Sequence, residues 1–147
     1  MTHPGQPRYA VPMVTGIADL TARLRALLSS APSEYVAVYL FGSQARAAAR
    51  PDSDIDLAFW RTAPSAPVLD QQPYGYAEAL SSELEKPVQL IELNHAAPDL
   101  VHEVLRDGVI VLDRDRDLRI LFEVDARQRY LDLRPFLLRY RGLEGRL

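Results

Sequence analysis

The sequence predicts an α/β or α+β fold, a small mixed β-sheet with flanking helices. Three observations predict it. Apolar, β-rich runs of five to seven residues recur at 35–41, 54–60, 87–93 and 109–113. Around them lie stretches with apolar residues at helical spacing. The resulting order, α-β-α-β-α-β-α-β-α, is that of one sheet with helices packed against it.

The elements follow in order. Residues 1–15 are rich in Pro and Gly and are expected to be a flexible N-terminal segment. GIADLTARLRALLSS, 16–30, carries Ile17, Leu20, Leu24, Leu27 and Leu28 at helical spacing, and Ala31, Pro32 and Ser33 break it. YVAVYLF, 35–41, reads as a buried strand. Gly42 and Ser43 turn the chain. SQARAAAR, 43–50, has the composition for two helical turns before Pro51 stops it. DIDLAFW, 54–60, is the second strand. Residues 61–73 hold Pro64, Pro67 and Pro73 and form a loop, and 74–86 is a helix. PVQLIEL, 87–93, is a third strand with Pro at its first position, where Pro is tolerated. Asn94 is placed to cap a helix over about 95–107, and Gly108 to end it. VIVLD, 109–113, is a short strand expected at the sheet edge. From Asp115 to about Arg141 runs a long Arg-rich helical pattern, in which Pro135 is expected to produce a kink or a break. The expected organisation is therefore one domain over 16–147 that ends in a C-terminal helix.

Composition excludes several classes. A net charge of −3 gives no global basic field, so no direct nucleic-acid binding is expected. No cysteine is present, which rules out disulfides and thiolate zinc sites. No apolar run approaches the length of a membrane span, and the first residues do not read as a secretory signal. A cytoplasmic protein is the expectation. Arginine outnumbers lysine 16 to 1, which points to genomic composition and not to a ligand.

The chemistry lies between residues 42 and 56. Side chains alternate faces along a strand, so Asp54 and Asp56 share one face, roughly 6–7 Å apart, while Ile55 and Leu57 point into the core. Carboxylates at that spacing repel one another. A divalent cation removes the penalty and takes oxygen ligands of this kind. Gly42 lets the backbone approach closely, and the Ser43 hydroxyl with the free N–H groups at the start of 43–50 offers a phosphate cradle. A Gly-Ser turn alone is usually only a turn, and Asp-x-Asp alone is usually a solvated strand end. One at the end of an apolar strand and the other opening the next is the arrangement that metal-assisted phosphoryl or nucleotidyl transfer requires.

Gly42-Ser43, ten intervening residues and then Asp54-Ile55-Asp56-Leu57 resembles the signature of the polymerase-beta-like nucleotidyltransferase superfamily. FGSQARAAARPDSDIDL is similar to the minimal nucleotidyltransferase (MNT) proteins, as are VQLIELNHAAPDLVHEVLRDGVIVLDRD and the closing RQRYLDLRPFLLRY. The resemblance covers the chain from about residue 17 onward. It implies the polymerase-beta-like nucleotidyltransferase fold and an antitoxin of the HEPN/MNT toxin–antitoxin type. Such antitoxins use ATP and Mg²⁺ to attach AMP to a tyrosine of a HEPN ribonuclease toxin, with which they form a hetero-oligomer. Carried onto this chain, Gly42, Ser43 and Arg46 would contact ATP, and Asp54 and Asp56 would be the catalytic residues that bind Mg²⁺. A solvated helix charge is an equal reading of Arg46.

The superfamily usually supplies a third carboxylate from the next strand, as metal ligand and base. Here that position is Gln89, which is neutral and no base. Glu92 lies nearby, but its parity turns it to the other face. Two alternatives stand beside this: a catalytically weak or inactive antitoxin that acts by stoichiometric binding, and a small-molecule nucleotidyltransferase of the aminoglycoside type, for which the chain has no obvious second domain.

Other residues read more plainly. His95 and His102 are expected as surface or packed histidines on one helix, and Trp60 as core or pocket wall. Arg127, Arg129, Arg134, Arg139 and Arg141 interleave with Tyr130, Phe136 and Tyr140, which suits either an interface or a solvated helix face.

Overall fold

The computed structural model describes residues 16–45, 53–63 and 72–143. In chain order the elements are helix α1 (Ile17–Leu28), strands β1 (Tyr35–Phe41) and β2 (Ile55–Arg61), helix α2 (Gln72–Leu84), strand β3 (Val88–Glu92), a 3₁₀ turn (Leu93–His95), helix α3 (Pro98–Asp107), strand β4 (Val109–Asp113) and helix α4 (Arg116–Leu143). The N-terminal segment 1–15, most of the expected 43–50 helix and most of the proline-rich loop lie outside the described residues.

The strands form one sheet in the order β3-β2-β1-β4. β1 runs antiparallel to β2 and to β4, and β2 runs parallel to β3, so the sheet is mixed. Alternation of side chains gives it two buried faces. On one face Leu20, Leu24 and Leu28 of α1 and Leu80 and Leu84 of α2 pack on Val38, Leu40, Ile55, Leu57 and Phe59. On the other, Val101 and Val104 of α3 and Ala126 of α4 cover Ala37, Tyr39, Ala58 and Trp60. Tyr35 stacks on Phe59 with ring centroids 4.1 Å apart, and Trp60 stacks on Phe122 at 5.0 Å. Trp60 is thus a core residue, and it donates its indole N–H to the Tyr39 hydroxyl at 3.2 Å.

Two polar clusters fasten the layers. Tyr39 donates to Glu123 at 2.5 Å, and Arg119 bridges Glu123 and Asp113, each at 2.9 Å. Burial and the Glu123 carboxylate push the Tyr39 hydroxyl far above its usual range, so it remains a donor. At the sheet's other side the Arg114 guanidinium donates to the carbonyls of Pro32, Ala31 (2.7 Å), Tyr35 (3.3 Å) and Ser29 (3.4 Å). These carbonyls follow the C-terminus of α1, where a positive charge is favoured.

Several sequence expectations are corrected. Asn94 does not cap α3. Its amide accepts from the Arg61 N–H at 3.0 Å and donates to the Arg61 carbonyl at 3.1 Å, so it extends β2, and α3 begins after Ala97 without a side-chain cap. Gly108 ends α3 with φ −75° and not in the left-handed region. Glycine is needed there because a Cβ would collide with the Val104 carbonyl. Pro135 does not split α4, which is one helix from Arg116 to Leu143. His95 lies in the 3₁₀ turn and His102 in α3, so they do not share a helix. No helix among the described residues is long and apolar enough to cross a membrane.

Candidate active site

The site forms where β1 ends and β2 begins. Phe41 pairs with Asp56 across the antiparallel ladder, so Gly42, the next residue, sits over the Asp56 side chain. Gly42 has φ +75°, and a Cβ built on it would fall on the Asp56 carboxylate. The backbone conformation favours glycine, and any other residue would also push the Asp56 carboxylate aside. Ser43 follows, half-buried in a turn that runs to Ala45. Arg46 lies outside the described residues.

Asp54 stands one residue before β2, exposed, and Asp56 is within the strand, half-buried. Ile55 and Leu57 between and beyond them are fully buried on the opposite face. The strand therefore divides its side chains between a carboxylate-bearing face and the core, as the alternation predicted. Ile55 N–H donates to the Pro87 carbonyl at 2.9 Å, which fixes the start of β2 against β3. The register then places Gln89 beside Asp56, and the Gln89 amide N–H donates to Asp54 at 3.5 Å. Gln89 thus belongs to the same face as the two aspartates. Glu92 pairs with Phe59 in register and turns to the opposite face, where it meets Arg61 at 3.6 Å and His95 at 3.5 Å.

The Asp56 carboxyl is pushed above the usual carboxylate range, first by burial and then by the Asp54 charge. Both causes disfavour a negative charge at this spot, and a nearby cation would relieve both. Among the described residues no group of three or more His, Cys, Asp or Glu side chains gathers around a common point. The oxygen donors here are two carboxylates and one amide.

Gln44 went unnoticed in the sequence. It is 9% exposed, and its amide N–H donates to the Ser53 carbonyl at 3.5 Å, tying the turn after β1 to the residue before Asp54. A polar residue next to a Gly-Ser pair gives no signal of that role without the partner nine positions away.

Residues 23–117 match the model of the family described as polymerase beta, nucleotidyltransferase. No curated protein matches the chain. Among solved structures, a toxin–antitoxin complex with AMP-PNP holds a chain 25% identical to this one, with a TM-score of 0.67 over 78% of this chain and 90% of that one. The MntA–HepT toxin–antitoxin complex gives 23% identity and a TM-score of 0.61, over 78% and 87%. A tri-AMPylated Shewanella oneidensis HEPN toxin in complex with its MNT antitoxin gives 23% and 0.63, over 81% and 90%. These last two likenesses are of fold. The family match spans β1, the Gly42 turn, both aspartates and β3, and on it the chain belongs to the polymerase beta nucleotidyltransferase family.

Proposed function

We propose that this chain is the antitoxin partner of a HEPN-type toxin and transfers AMP from ATP to a tyrosine hydroxyl of that toxin. The observation that carries the reading is the pair Asp54 and Asp56 on one strand face, closed from behind by the left-handed Gly42. The likeness to chains in toxin–antitoxin complexes, one with AMP-PNP, supports the choice of partner and nucleotide. On this reading the protein works in the cytoplasm, where ATP is available.

In the reaction the tyrosine oxygen forms a bond to the α-phosphorus, and the bond from that phosphorus to the pyrophosphate oxygen breaks. The phenolic proton passes to solvent, because Gln89 is no base. Gly42 and Ser43 hold the triphosphate, together with Arg46, and their task is to align attacking and leaving oxygens. Asp54 and Asp56 would hold Mg²⁺, and the charge conflict that raises the Asp56 carboxyl fits such an ion. When bound, Mg²⁺ neutralises charge that develops on the phosphates.

A second reading is favoured by one observation. The Gln89 amide donates to Asp54 where the superfamily usually has a third carboxylate as ligand and base, which suits a site that binds the toxin and turns over slowly. Incubation of the purified chain with the HEPN-type protein, ATP and Mg²⁺, followed by intact mass, separates the two. Mass added to the toxin in whole AMP units is expected. An unmodified toxin that is nevertheless neutralised at equimolar antitoxin would replace transfer with binding.

A further inference from the structure

Every exposed large apolar side chain among the described residues lies on α4, including Leu121, Val124, Leu131, Phe136, Leu138 and Tyr140. Leu121, Val124, Leu131 and Leu138 fall on one stripe at alternating four- and three-residue steps, with Gln128 and Pro135 in the intervening places. The face turned to the body is different. It buries Glu123 and Ala126 and beyond them holds only the half-buried Tyr130, Leu133 and Leu137, since no residue from Arg127 to Arg141 is fully buried. The second half of α4 thus carries apolar surface that its own fold does not cover, in the pattern a helix presents to another helix.

The flank of the stripe specifies charge. Arg127, Arg134 and Arg141 recur every seven residues along one side. Arg127 and Arg134, with His102, Tyr130 and Leu131, line a cavity of about 370 Å³ between α3 and α4. His102 and Tyr130 stack face to face at 3.7 Å and make its rigid wall. Arg134 and Arg139 make no ion pair among the described residues. Residues 127–143 hold five arginines and one aspartate, in a chain of net charge −3.

A second copy fits poorly. Two antiparallel α4 helices packed through the stripe set the Arg127–Arg134–Arg141 flank against itself, and two parallel ones stack Gln128 on Gln128 and Pro135 on Pro135. Nucleic acid would use the arginines and leave the leucine stripe in water. A protein helix with an apolar stripe and an acidic flank satisfies both.

We infer that the outer face of α4 is the docking surface for the partner toxin, which meets it with an amphipathic helix whose flanking Asp or Glu side chains pair with Arg134 and Arg139 and whose carboxylate enters the cavity between Arg127 and Arg134. This rests on the reading of the chain as the partner of a HEPN-type toxin. The site that binds the nucleotide and the surface that holds the acceptor protein are then different parts of the molecule.

The test is a titration of the full chain with its HEPN-type partner protein, at two salt concentrations. Four proteins are compared: native, Leu131→Asp, Arg134→Glu and Asp54→Asn/Asp56→Asn. Positions 131 and 134 are exposed, ATP affinity checks that the two α4 variants are folded, and thermal unfolding checks the aspartate variant. Expected is at least about tenfold weaker toxin binding for Leu131→Asp and Arg134→Glu, as for a central interface side chain, with ATP affinity unchanged. Native binding should weaken with salt, and the aspartate variant should bind like native. Native-like binding by both α4 variants would overturn the inference and leave the partner reading standing. No binding by the native chain would remove that reading and the inference with it. A dimer of the chain alone that Leu131→Asp dissolves, or an RNA complex that Arg134→Glu abolishes, would give the surface to another occupant and overturn the inference as well.

Discussion

Asp56 is held in a place that resists its charge, with Gln89 beside it in register. Burial and the Asp54 carboxylate both raise the Asp56 carboxyl. The folded chain therefore holds that proton more tightly than the unfolded chain does. Without a metal, this contribution favours the fold at acid pH. It is lost as pH rises from the unfolded aspartate value of about 3.9 through the raised folded one. Asp54→Asn with Asp56→Asn should remove AMP transfer and raise the unfolding midpoint at neutral pH in chelator, with the gap to native closing at acid pH. Intact mass of the partner and thermal scans across pH check both halves, and undiminished transfer would sink the assignment. Gln89→Asp should raise the transfer rate, because a carboxylate beside Asp56 adds a charged ligand and a base, and a positioned base is typically worth about 10²–10⁴-fold. Initial rates at several Mg²⁺ concentrations check it. A rate at or below native at saturating Mg²⁺ would mean that three carboxylates repel more than they help.

Strands and helices were legible where a local pattern had no rival. β1 and β4 run over Tyr35–Phe41 and Val109–Asp113 as the apolar runs predict, with β4 at the edge. β2 begins one residue later than expected, since Asp54 precedes it, yet the alternation through Asp56, Ile55 and Leu57 holds. Reading failed where a tertiary partner outbid a local rule. Asn94 has the composition of a helix cap, but the backbone of Arg61, 33 residues away, takes both ends of its amide. Tyr39 and Glu123 are 84 residues apart, and no spacing rule joins them. Arg114 is the same case, an arginine among arginines in sequence, and in the fold the donor to four carbonyls after α1. Arg114→Ala should cost about 1–2 kcal/mol of stability, below the sum of its bonds because the side chain is exposed to solvent. Denaturant unfolding checks it, and a loss below about 0.5 kcal/mol would mean that water replaces the guanidinium at little cost.

The molecule is uneven from one end of its sequence to the other. Residues up to Ala126 supply every buried side chain of both cores, and those after it supply none among the described residues. A chain ending at Ala126 should keep its ATP affinity and most of its thermal stability, losing the His102–Tyr130 stack and the half-buried Leu133 and Leu137, while toxin binding falls far more. Nucleotide titration, thermal scans and pull-down with the toxin measure the three quantities. Equal losses in ATP and toxin binding would make the last helix part of the core's support.

A helix segment with no fully buried side chain is held only lightly by its own protein. Substitutions at the exposed positions from Arg127 onward meet none of the volume limits that govern Leu24 or Val104. That stretch is therefore free to drift with whatever it touches, while the sheet and its aspartates stay fixed. Two such proteins that exchange only this segment should exchange partners and keep their chemistry, which makes the end of α4 the place to cut when one catalytic body is to be aimed at a new target.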